Sequence, residues 1–459
     1  MTRLLFLSFF FFIGWALAEE PRLREPCLIE VVDESNDWPV PLVTLRTTHE
    51  VEFVTDNAGR VAFDLPELMG QEVWMSVEGH GYQVAADAFG YRGVKITPTP
   101  GGEIQIPVQR QNLAKRLGRL TGAGLFAESQ QLGHELTWPE SGVLGCDTVQ
   151  TARLGDRLWW SWGDTTLANH PLGLFHITAA TTPLRALDRY EPPLRLTFSH
   201  YRDGQGRVRE VARMPGEGPT WIAGATTLVD RKGQEQLVAC YSKIEPPLSS
   251  YEVGLCVWNE EKARFVQQKV LWNQAKDGGS RPSLLPEGHP VSWTDEEGKE
   301  WMLFGDPFPR LKCPATFESW LDPAQWVALE AQQTVPARTG GREIRPHRGS
   351  LIWSPYREKW VTLFTEFGGE SSPLGEVWYA EAGTPFGPWE GAVPVLSHAN
   401  YTFYNPKIHP ELTAPEASFL LFEGTYTQTF ADNPIPTPRY DYNQVLYRLD
   451  LADVAPRLP

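Results

Sequence analysis

Asp147 and Asp164 bracket the stretch DTVQTARLGDRLWWSWGDTT, which reads as a hairpin: a turn at Gly155-Asp156 followed by an aromatic-rich strand in which Trp159, Trp160 and Trp162 alternate imperfectly. A carboxylate at each end of a hairpin has a use if the hairpin belongs to a ring, because both ends then reach one rim of a central hollow. Clustered carboxylates suit glycosidic bond cleavage. One is protonated and assists the leaving oxygen; another is ionised and acts as base or nucleophile. Burial and like-charge proximity are what hold two such pKa values apart.

The hairpin is not alone. A turn followed by an aromatic-rich strand recurs as GDRLWWSWGDTT, GQEQLVACYSKI, GKEWMLFGDPF, REKWVTLFTEFG and EASFLLFEGTYT, beginning near residues 155, 233, 298, 357 and 416. Each copy follows a second strand-like run, and four precede a third. Periods of roughly 60 to 80 residues exceed compact propeller blades and fit blades with large loops. The expectation is an all-β chain with a five-bladed β-propeller over 139–459, whose blades leave only short, protected edges. In such blades the start of the first strand and the end of the second meet on one face. The second strands end with Asp164, Lys243, Asp306, Glu366 and Glu423; the first strands start with Asp147, Trp221, His289, Arg345 with His347, and Tyr404 with Asn405. Lone acids at strand ends are ordinarily caps or solvated groups. Their recurrence at symmetric positions is what points to a site. Trp159, Trp160 and Trp162 have two readings, a stacking surface for sugar rings or packing between blades.

These motifs resemble the five-bladed propeller glycoside hydrolases of the arabinanase and fructosidase kind, with the secreted endo-D-arabinanases as a related set. VLGCDTVQTARLGDRLWWSWGDTT is similar to their first blade, RGSLIWSPYREKWVTLFTEFGGESSPLGEVWYAEAGTPFGPWE to a later one, and FYNPKIHP and YNQVLYRLDL extend the likeness. The resemblance implies that Asp147 is the general base or nucleophile, that Asp164 is a second acid beside it, and that a later-blade carboxylate is the proton donor, with Glu366 as first choice and Asp306 as second. Trp221, Lys243, His289, Arg345, His347, Tyr404, Asn405 and Glu423 are then the candidate substrate-binding set. The competing reading is a propeller that binds carbohydrate or protein without catalysis. No cofactor is called for, although Asp, His and Asn at a propeller centre are ligand types that a structural Ca²⁺ takes.

The rest of the chain positions this unit. Its 459 residues include 18 Trp, 40 Gly and 39 Pro, a mix that suits strands and turns. The net charge of −16 argues against nucleic acid and fits a carbohydrate partner. Residues 24–109 alternate and break at DNAGR; TDNAGRVAFDLPEL resembles the transthyretin-like or carboxypeptidase-regulatory β-sandwich, which implies a spacer module. Over 110–138 the spacing of Leu113, Leu117 and Leu120 predicts a short helical linker with its basic residues on a solvated face. LLFLSFFFFIGWALA followed by Glu19 and Glu20 reads as a signal peptide over 1–18, hence a secreted or periplasmic protein with no membrane anchor. The five cysteines match no zinc pattern and read as small buried hydrophobes, with a Cys240–Cys256 bridge as the alternative.

Overall fold

The computed structural model describes residues 25–184, 191–431 and 441–454; the expected signal peptide lies outside them. Among the described residues no helix is long and apolar enough to cross a membrane.

Residues 27–110 form two four-stranded sheets packed face to face. One joins Arg60–Phe63, Cys27–Asp33, Glu103–Arg110 and Tyr82–Gln83; the other joins Glu52–Val54, Thr44–Thr47, Val73–Glu78 and Gly93–Ile96. Alternate residues of both sheets, among them Ile29, Val31, Leu45, Val61, Phe63, Met75 and Val108, fill the space between them. The DNAGR turn closes on Gly59 at φ 69°, where a side-chain carbon would sit 2.8 Å from the Val31 carbonyl.

Five further four-stranded antiparallel sheets follow, here blades I to V, and in blades I to IV the strands lie side by side in chain order. Blade I runs Gln150–Leu154, Arg157–Trp162, Thr178–Pro183, Ser199–His200. Blade II runs Thr220–Val229, Glu235–Glu245, Ser249–Asn259, Arg264–Asn273. Blade III runs Val291–Thr294, Glu300–Gly305, Pro309–Pro314, Val327–Ala328. Blade IV runs Pro346–Ser354, Lys359–Glu366, Val377–Ala382, Glu390–Leu396. Blade V has Thr402–Ile408, Phe419–Thr427 and Asn443–Asp450, and takes its outer strand, Lys115–Arg119, from the other end of the chain.

Hydrogen bonds around the axis show that the blades form a closed ring. The Ala225 amide donates to Gln150 Oε1 (3.2 Å), Gly224 to the Gly288 carbonyl (3.0 Å) and Gly349 to Asp306 Oδ1 (2.6 Å). Ile408 donates to Ser350 Oγ (2.8 Å), and Thr148 to Thr425 Oγ1 (3.1 Å), which returns from blade V to blade I. Gly224 is required where blades II and III meet, since a side chain there would strike the Pro286 carbonyl at 2.0 Å. Separate apolar clusters fill the wedges between blades. Trp159 packs edge-on to Trp258 and Phe265 between blades I and II, while Trp160 and Trp162 stack between blades V and I. All three are fully buried, so they pack blades and do not reach a rim. At roughly 1.5–3 kcal/mol per buried large side chain, this wedge is a main source of ring stability.

The expected helix over Leu113–Leu120 is instead the outer strand of blade V, paired as Val445 with Arg119 and Arg448 with Lys115. The strand is buried on both sides. Leu117 and Leu120 face the propeller core, whereas Arg116 and Arg119 are buried toward the sandwich and not solvated. Double burial removes the alternation that marks a strand, and the remaining leucine spacing imitates a helix. A five-residue helix follows at Ala127–Gln131. All five cysteines are buried and unbridged.

Candidate functional site

A cavity of about 1040 Å³ opens at the ring axis. All five blades contribute to it, because each first strand begins there: Asp147 and Thr148, Trp221, His289, His347 with Arg348, and Tyr404 with Asn405. Asp164 and Asp306 reach it from the ends of second strands.

Asp147 sits in a polar cradle. Its Oδ2 accepts from the Tyr404 hydroxyl at 2.8 Å, and Tyr442, Thr148 and the Asp164 amide also donate to its carboxyl. Gly163 makes room for it, since a side chain there would lie 2.2 Å from Asp147 Oδ1. Burial raises the Asp147 pKa and these donors oppose the rise. Asp164 has one donor, Trp221 Nε1 at 3.2 Å; burial first, then the neighbouring Asp147 charge, push it up to about 7. Four donors around Asp147 against one at Asp164 favour the ionised form on Asp147 over Asp164.

Asp306 belongs to blade III. Its Oδ1 accepts from the Gly349 amide and its Oδ2 lies 3.4 Å from Arg348 Nη1, yet burial lifts it to about 6. Burial also holds His289 well below the ordinary imidazole range and His347 at about 4, so both rings are neutral. Phe367 and Phe430, respectively 51% and 63% exposed, line the cavity with Trp221 and Tyr404. Apolar and aromatic faces beside a few polar groups are the usual lining of a small-molecule site.

Four of the expected site residues do not line this cavity. Lys243 and Glu423 were expected at strand ends, but their strands continue to Glu245 and Thr427 and leave them buried mid-strand. Lys243 Nζ donates to the Gly218 carbonyl at 2.7 Å. Glu423 meets His409 Nε2 at 2.7 Å; burial raises the acid to about 8 and lowers the imidazole, so two neutral groups share that bond. Glu366 accepts from Trp378 Nε1 at 2.8 Å and pairs with Arg342. Arg345 is exposed and lies over the Phe367 ring, 4.7 Å from its centre.

The cavity also holds residues that strand-end counting missed: Glu287 paired with Arg281 ahead of blade III, Arg310 on its third strand, and Arg348 beside His347. PEGHP, immediately before the blade III strand, was the available signal for Glu287. Among the described residues no group of three or more His, Cys, Asp or Glu side chains is arranged to hold a metal ion.

No family model and no curated protein matches the chain. Among solved structures it is similar to an exo-β-1,3-galactanase of Phanerochaete chrysosporium with β-1,3-galactotriose (10% identity, TM-score 0.43, 76% of this chain and 67% of that one). An exo-1,5-α-L-arabinanase from a bovine ruminal metagenomic library is similar at 11% identity and TM-score 0.38, over 67% and 93%. A GH43_1 enzyme of Xanthomonas citri with xylotriose is similar at 10% and 0.36, over 66% and 86%. The ring architecture itself rests on the five sheets and the hydrogen bonds between them.

Proposed function

We propose that this protein is a secreted glycoside hydrolase that cleaves its glycan in the propeller cavity, with Asp147 as base or nucleophile and Asp306 as proton donor. One observation carries the reading: carboxylates from blade I and blade III line one cavity in environments that separate their charge states. Asp147 is the favoured anion of the pair because its carboxyl has four donors where Asp164 has the Trp221 indole. Asp306 retains a proton into the weakly acidic range, where it serves a leaving oxygen. Glu366 is set aside as donor because Arg342 and Trp378 occupy its carboxyl outside the cavity. Trp221, Tyr404, Asn405, His289 and His347 contact the sugar, while Arg345 braces Phe367. The N-terminal sandwich acts as a structural module.

The test is a screen of the purified protein against plant, algal and bacterial polysaccharides for new reducing ends. Turnover on at least one glycan is expected, and Asp147→Asn lowers it by about 10³-fold or more with an unchanged melting temperature. Binding of a glycan without any cleavage would sink the hydrolase reading in favour of a binding propeller.

A further inference from the structure

The two sides of the cavity carry opposite charge. On the blade I side Asp147 and Asp164 have hydroxyl, amide and indole partners and no cation among the described residues. On the side of blades III and IV, three guanidinium groups stand against two carboxylates. Arg281 pairs with Glu287, and Arg348 lies 3.4 Å from Asp306. Arg310 lines the cavity, is exposed, and has no side-chain hydrogen bond or ion pair among the described residues. A guanidinium has five donors in a fixed fork, so single ion pairs leave Arg281 and Arg348 with donors to spare. The neutral rings of His289 and His347 add polar atoms beside them; the Nδ1 of each is buried with no hydrogen-bond partner among the described residues.

This excess of cation stands in a chain whose net charge is −16. A polyacid repels anionic glycans at long range, and solubility does not require unpaired arginine inside a concave site. A ligand anion does: carboxylate and sulfate both match the planar fork bidentately, and Arg is favoured over Lys for that geometry.

We propose that the substrate is an anionic glycan, whose carboxylate or sulfate ester binds Arg310 and Arg348 while its scissile bond lies toward Asp147. The proposal rests on the hydrolase reading for the position of the bond and on the arginines alone for the charge. Phe367 and Phe430 flank the sugar rings, and the anion sets the direction in which the chain lies.

Asp147→Asn protein separates binding from turnover. It is titrated calorimetrically with a panel of glucuronate-, galacturonate- and sulfate-bearing oligosaccharides, each beside its neutral counterpart. At least one anionic member is expected to bind tenfold or more tightly than its counterpart, less so as salt rises. Adding Arg310→Gln is expected to remove most of that preference; Arg348→Gln gives a second reading if Arg310 acts only at long range. The uronate and sulfate arms identify which anion is used. Equal or tighter binding of the neutral member in every pair would overturn the proposal, as would a preference untouched by both arginine changes. Wild-type turnover on the same panel separates the two readings. Cleavage confined to neutral glycans overturns the anion subsite and keeps the hydrolase. Anion-selective binding with no cleavage supports the subsite and overturns the hydrolase.

Discussion

Arg116, between sandwich and propeller, and Arg310, in the cavity, are opposite uses of one side chain. Arg116 is 2% exposed and held on all three nitrogens: its guanidinium donates to the Tyr447 hydroxyl (3.1 Å) and to the carbonyls of Pro41, Leu42 and His80. The junction extends this with the DNAGR turn, where Asn57 exchanges two 2.9 Å hydrogen bonds with the backbone of Arg119. Arg310 has none of this. A buried cation whose guanidinium meets four acceptors holds two domains in register, whereas a cation in a hollow with no hydrogen bond to its side chain among the described residues has capacity left for something that arrives. Satisfaction of donors, not the presence of charge, separates the joint from the site.

The largest expected effect tests the joint. Arg116→Met strips four acceptors of their donor and should cost about 3 to 5 kcal/mol of folding stability in chemical denaturation. A loss below about 1 kcal/mol would mean that the junction does not need its cation. Next comes the cavity acid: Asp306→Asn should lower kcat by about 10² or more at unchanged melting temperature. With Asp306 at about 6, wild-type kcat/KM should fall as pH rises past that value; a flat profile to pH 8 would remove Asp306 as donor. Glu366→Gln should cost about 1 to 3 kcal/mol of stability and leave kcat within about twofold. A large loss of turnover there would restore Glu366 to the chemistry. Smallest is Arg345→Ala, which removes a cation over an exposed ring, about 0.5–1 kcal/mol, visible as a modest rise in KM.

Stability should follow pH with a defined sign. Asp306, Asp164 and Glu423 hold protons in the folded chain to about 6, 7 and 8, whereas in the unfolded chain they release them near 4. Their contribution is fully present below that lower value and is lost as pH rises through 6 to 8. Melting temperature is expected to fall between about pH 4 and about 8, and Glu423→Gln to flatten the upper part of the fall.

The blade I hairpin was legible because its turn is marked by Gly155-Asp156 and an aromatic-rich strand follows it. First-strand starts were legible for the same reason, which is why Asp147, Trp221, His289, His347, Tyr404 and Asn405 meet in the cavity. Strand ends were not, since nothing in SKIE or EGTYT marks where pairing stops, and Lys243 and Glu423 fell inside. Lys115–Arg119 was misread because its partner lies more than 300 positions away and both faces are covered. Arg281, Glu287 and Arg310 lie outside the strand-end pattern, in a lead-in loop and a third strand.

Blade V draws three strands from one end of the chain and its outer strand from Lys115–Arg119. A polypeptide leaving the ribosome therefore holds that early segment unmatched until nearly its last strand has emerged, a long wait that favours chaperone capture. Trimming the protein to residues after 120 would strip that blade of its border and expose the next strand's amides to other molecules. The unit that can be expressed alone is set by this clasp and runs back at least to Lys115.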